Sequence, residues 1–298
     1  MLASRQPIAR LAATSSERWW HRPRQLIRKM PTRVILSFVI LAVIVVGAVF
    51  PMGFTSFDPN TPTFSARLTA PGDPTFVLGT DDLGRDLFSR VLYGGQASLV
   101  IGVFAASLGL VVGTAAGMVA GYFGGWLDHV IMYLVDVQLS LPFLLLAIAV
   151  ALVFGNGLLV MVVIAGLATW PGYARLCRGL ILSLREYEYV TAARSLGAGS
   201  GRIILQHLLP ALVAPLLIFL TINMGRVILI ESALSFLGIG IKPPTPSWGG
   251  MIDQGRSLLG VAWWVSTVPG VVLTLLTLAI GSIGDWLRDV LDPMLKTE

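Results

Sequence analysis

Six long apolar runs, divided by polar stretches, constrain this chain more than any other feature. They cover about 34–50, 97–121, a stretch within 130–154, 158–176, 211–230 and 264–283. Each approaches the roughly 20 apolar residues that cross a bilayer core as a helix. None alternates with period two, so helices are expected rather than a barrel. The composition agrees. Apolar residues are 55% of the chain and charged residues 12%, against about a quarter charged in an ordinary soluble domain. The expected class is an all-α polytopic membrane protein with six transmembrane helices, the lipid bilayer being its solvent. The basic segment 1–33 is long for the charged region of a signal peptide, and no small-x-small site follows the first run. The run at 34–53 is therefore read as a retained first transmembrane helix.

Net charge is +5, but its placement says more than its size. With the N-terminus inside, the inside segments (1–33, 122–129, 175–209 and 284–298) carry 15 of the 21 Lys and Arg residues. The outside ones carry six. That bias predicts that both termini face the cytoplasm, and it gives no reason to read the charge as nucleic-acid binding. The chain then divides into a basic tail (1–33), a first span (34–53), an outer loop (54–96), a membrane core (97–284) and a tail (285–298). The single cysteine, Cys177, excludes an internal disulfide. With His21, His129 and His207 far apart in sequence, it makes a poor metal set.

Local patterns add detail. Thr80 is placed to cap a helix over 81–92, with Leu83, Leu87 and Val91 on one face and Asp82, Arg85, Asp86 and Arg90 on the other. This predicts an amphipathic helix along the outer interface. Between spans four and five, 184–196 reads as helix, 197–201 as a Gly-rich break and 202–209 as a second short helix ending at Pro210. Pro142 and Pro215 are expected to bend their spans or lie near their ends. Asp128 and His129 read as a turn pair. Asp136, Gln138, Arg226 and Glu231 lie in or beside spans; they are candidates to line a polar pathway or cavity within the membrane, the alternative being a place at a membrane interface.

The inner loop carries the most specific pattern. Tyr189-Val190-Thr191-Ala192-Ala193-Arg194-Ser195-Leu196-Gly197 is followed, after nine residues, by His207-Leu208-Leu209-Pro210. This resembles the EAA loop of ABC importer permeases, with Thr191 where the family often has Glu and His207 where it often has Ile. Small Ala192 and Ala193 suit a close contact, and Gly197 suits a sharp helix exit. Two further stretches, Leu78-Gly79-Thr80-Asp81-Asp82-Leu83-Gly84-Arg85-Asp86 and Leu234–Gly238 with Pro243–Gly249, resemble the second permease of dipeptide, oligopeptide and nickel importers.

The resemblance implies a type I importer fold and a coupling loop at 186–210, with Tyr189, Thr191, Ala192, Ala193, Arg194, Gly197, His207, Leu209 and Pro210 at the ATPase contact. It implies as partners a homologous second permease, two ABC ATPase subunits and an extracytoplasmic substrate-binding protein, in the inner membrane of a prokaryote. No phosphate-binding loop of the Gly-x-x-x-x-Gly-Lys-Ser/Thr type occurs. The chain is therefore expected to bind no cofactor and to do no catalysis, the partner ATPases using ATP and magnesium. The substrates implied are di- and oligopeptides, with nickel or another small solute as the alternative. An ion-coupled secondary transporter would need mid-membrane carboxylates and often internal repeats. The sequence offers few such carboxylates and no obvious repeat.

Overall fold

The computed structural model describes residues 30–291. The basic tail, apart from its last residues, and the final seven residues lie outside them. The described part is all-α apart from one isolated bridge between Thr80 and Asp86. In chain order the helices are α1 (Thr32–Val49), α2 (Leu87–Phe123), α3 (Gly125–Ser140), α4 (Phe143–Phe154), α5 (Leu158–Leu184), α6 (Glu188–Ser195), α7 (Ser200–Phe236), α8 (Trp248–Arg256) and α9 (Trp264–Leu291). Five are long and apolar enough to cross a membrane alone. Counted as one broken span, the bent pair α3–α4 makes a sixth.

The pair α2 and α5 packs most extensively, because glycines remove the obstacle between them. Gly109, Gly113, Gly117 and Gly121 recur every fourth residue along one face of α2. A Cβ on Gly113 would lie 2.4 Å from the Trp170 carbonyl oxygen, and one on Gly117 the same distance from that of Ala174. Helices in lipid gain little from apolar burial against one another, so close backbone approach supplies the attraction instead. Around this pair, α7 packs on α2, α5 and α9, and α1 packs on α9 and α2.

Three expectations are corrected. The outer helix over 81–92 does not exist as a surface helix. Residues 80–86 form a tight turn, α2 starts at Leu87, and Asp86 rather than Thr80 caps it by accepting from the Ser89 N–H at 2.8 Å. Leu87 is 0% exposed and Arg90 only 2%. Both faces are thus buried, because the charged face finds partners inside the protein: Arg85 Nε donates to Asp81 Oδ2 at 2.7 Å, and Arg90 donates to Gln254 Oε1 at 3.0 Å and to the Pro59 carbonyl.

The third span is not one helix. It breaks before Pro142, which has no N–H to continue the ladder, and α3 and α4 meet at 96°. The second short helix of the inner loop is not separate either. Residues 200–208 run into α7, and a π-turn at Ile203–Leu208 widens the coil just before Pro210, so the helix continues through a residue that would otherwise end it. Two boundaries also shift. The sixth helix extends to Leu291, and the 231–263 loop contains α8, whose Trp248 is buried and donates to the Val91 carbonyl at 2.9 Å.

Candidate functional site

The inner loop folds around one apolar anchor. Val190 of α6 is fully buried, in a cluster with Tyr173, Cys177 and Ile181 of α5 and Ile203, Leu208, Leu212 and Leu216 of α7. Its neighbours point the other way. Tyr189, Thr191, Ala192, Arg194, Ser195 and Leu196 are exposed, and Ala193 is half-buried. The helix ends where Gly197, at φ +85°, donates to the Arg194 carbonyl and Ala198 donates to that of Ala193, both at 3.0 Å. This reciprocal pair is a Schellman cap, and the left-handed residue it requires is usually glycine. Nothing lies within 4 Å of where a Gly197 Cβ would be, so its backbone conformation, not its space, selects glycine.

The loop presents a short, rigid knob. Leu196, at 88% exposure, stands at its tip, and the Arg194 guanidinium sits 5.9 Å from the centre of the Tyr122 ring. Partial loss of hydration, with Tyr187 beside it, raises the phenol of the exposed Tyr189 above its ordinary value. His207 lies in the π-turn, its ring 6.4 Å from that of Tyr189. Leu209 is half-buried and Pro210 exposed. The residues expected at the loop thus lie on one end of the bundle. Val190 and Leu196, the anchor and the tip, were not among them. An apolar residue flanked by small and polar ones at the end of a short helix was the signal for Leu196.

The four pathway candidates separate. Glu231 of α7 is fully buried within the chain, accepting from the hydroxyls of Ser235 at 2.8 Å, Ser98 at 3.1 Å and Ser232 at 3.3 Å. Three hydroxyl donors satisfy a carboxylate that burial would otherwise penalise. Arg226 is exposed on α7. Asp136 is exposed on α3 and bonded to Arg175 Nη2 of α5 at 2.5 Å. Gln138 accepts from Trp170 Nε1 at 2.7 Å and donates to the Leu167 carbonyl. Asp128, expected in a turn, lies in α3 and is bidentate with Arg178 of α5. At the opposite end of the bundle, Thr55, Asp58, Asn60, Tyr93, Gln96 and Thr245 are among the residues lining a cleft of 610 Å³.

Residues 113–297 match the family described as binding-protein-dependent transport system inner membrane component. Among relatives, the di/tripeptide transport system permease protein DppC of Pseudomonas aeruginosa is 40% identical over 88% of this chain and 87% of its own length. The glutathione transport system permease protein GsiD of Pectobacterium atrosepticum is 42% identical over 74% and 73%. The dipeptide transport system permease protein DppC of Alkalihalophilus pseudofirmus is 38% identical over 88% and 86%. A chain of the MetNI methionine ABC transporter, solved in inward-facing conformations, superposes with a TM-score of 0.55 at 20% identity, over 68% of this chain and 96% of that one. That last likeness concerns the fold.

Proposed function

We propose, from the premise that this chain belongs to the binding-protein-dependent transport system inner membrane components, that it forms half of a translocation pathway for short peptides and couples that pathway to ATP hydrolysis on partner subunits. Its fold is that of the type I ABC importer permeases. The observation that carries the coupling role is the 188–197 knob. One side is locked to α5 and α7 through Val190, while Thr191, Ala192, Arg194 and Leu196 are left without cover at one end of the bundle.

A force on such a knob is transmitted to the spans, because the cluster around Val190 joins α5, α6 and α7. Two ATPase subunits, binding ATP with magnesium, would engage this knob and its counterpart on a homologous second permease. This chain would bind no nucleotide and do no catalysis. In this reading both termini and the knob face the cytoplasm of a prokaryote, and the cleft by Thr55 and Tyr93 faces outward, towards a substrate-binding protein. The names of the relatives, di/tripeptide and glutathione permeases, support a peptide substrate over nickel.

The test uses the assembled transporter in inverted and right-side-out vesicles. Peptide uptake is expected to stop when ATP is withheld and to survive collapse of the ion gradients. Ala193→Trp is expected to leave the chain inserted but to reduce ATPase capture in a pull-down by about tenfold or more, since overpacking a contact costs roughly 1–3 kcal/mol. Full ATPase capture and full uptake in that variant would remove the coupling role.

A further inference from the structure

Helix α3 has three distinct faces. Leu127, Ile131, Val135 and Gln138 turn towards the bundle, Val135 fully buried and the others half-buried. Val130, Leu134 and Val137 form a second face, exposed and apolar. The third consists of His129, Tyr133, Asp136 and Ser140, all exposed. Their spacing of four, three and four residues stacks them in one line along the helix.

Arg175 of α5 meets this line at Asp136, with their side chains 53% and 62% exposed. Arg175 follows Leu158, where α5 begins, by 17 residues, or about 26 Å of helix rise, which brings it to the inner edge of a hydrocarbon core of about 30 Å. At that edge the exposed pair is drawn to water rather than to lipid chains. The apolar face of α3 suits lipid; the polar line beside it does not.

We propose that His129, Tyr133, Asp136 and Ser140 of α3, with Arg175 of α5, line the water-filled translocation path shared with the second permease, and that the Asp136–Arg175 pair sets its charge balance for zwitterionic peptides. The inference rests on the permease reading and gives it a specificity element. With both charges present, the empty path is neutral there. A passing peptide finds a carboxylate for its amino terminus and a guanidinium for its carboxyl terminus, and charge-assisted hydrogen bonds of this kind are the strong ones. Removing one member leaves the path with a net charge that discriminates among side chains.

Two measurements on the assembled transporter test this. Cysteines are placed singly at Tyr133, Leu134, Asp136 and Val137 and treated with a water-soluble, membrane-impermeant methanethiosulfonate applied from both sides; native Cys177 is buried and serves as the background. Y133C and D136C are expected to react, and L134C and V137C to stay protected. Equal reactivity of all four, or protection of the first two, overturns the lining. Uptake of Ala-Lys and Ala-Glu is then compared. Arg175→Gln should raise the Ala-Lys to Ala-Glu ratio by about tenfold, Asp136→Asn should lower it by about as much, and the D136N/R175Q double variant should return it towards wild type, since one charge-assisted bond is worth at least that factor. An unchanged ratio in both single variants overturns the charge-balancing role. If the single variants transport nothing, failure of peptide with its binding protein to protect D136C from the reagent overturns it equally. Absence of ATP-dependent uptake in the wild type would instead count against the permease reading and leave the labelling result standing.

Discussion

At the scale of single residues, Asp81 bears the most weight. Its Oδ1 accepts from the Leu83 and Arg85 N–H groups at 2.9 and 3.0 Å, and its Oδ2 accepts from Arg85 Nε and lies 3.5 Å from Arg90 Nε. Both arginines are buried, and Arg90 also reaches Gln254 of α8. Asp81→Ala leaves two buried guanidinium groups without their anion, and breaking such a pair costs about 3–5 kcal/mol. Thermal unfolding in detergent is expected to drop by many degrees. Asp82→Ala is the control. That carboxylate is 46% exposed and 3.9 Å from Arg85, and a surface pair is worth about 0–1 kcal/mol. The sequence motif around 78–90 was visible as a run of charges and leucines, but its burial was not. A charge four residues from its partner reads as a solvated helix face unless a third element, here α8 with Gln254, arrives from far along the chain.

At the scale of elements, the inner loop shows how one residue sets the orientation of a helix. Gly197 at φ +85° closes α6 and turns the chain towards α7. Asn tolerates the left-handed region, while a β-branched residue does not. Gly197→Val is therefore expected to lose most ATPase capture, and Gly197→Asn to retain most of it, although the two differ little in volume. Similar loss in both would mean that space, not conformation, governs the site. The exit at Gly197 was legible because glycine after a helical run is a local signal. The π-turn ahead of Pro210 was not, since a proline after a short polar helix ordinarily predicts a stop. Likewise Pro142 was legible as a bend, but the 96° between α3 and α4 depends on how α4 packs on α5 and α2.

At the scale of the whole molecule, the positive charges predict orientation. A cysteine at Thr63 or Thr245 is expected to be labelled from outside the cell, and one at Ser200 only from inside; all three positions are exposed. Labelling of Ser200→Cys from outside would invert the topology and with it the placing of the coupling knob. What the sequence by itself determined was the class: apolar length and the absence of period two require spanning helices, whatever they pack against. It also determined the local punctuation, at Gly197 and Pro142, where backbone chemistry acts within a few residues. Only the tertiary structure decided which polar groups face inward. Glu231 is enclosed by Ser98 from 133 residues away, whereas Asp136 is left on an open face with Arg175 from α5. Both read alike along the chain, because the cost of a charge in a membrane depends on its neighbours in space, and those are fixed only when α2, α5 and α7 come together.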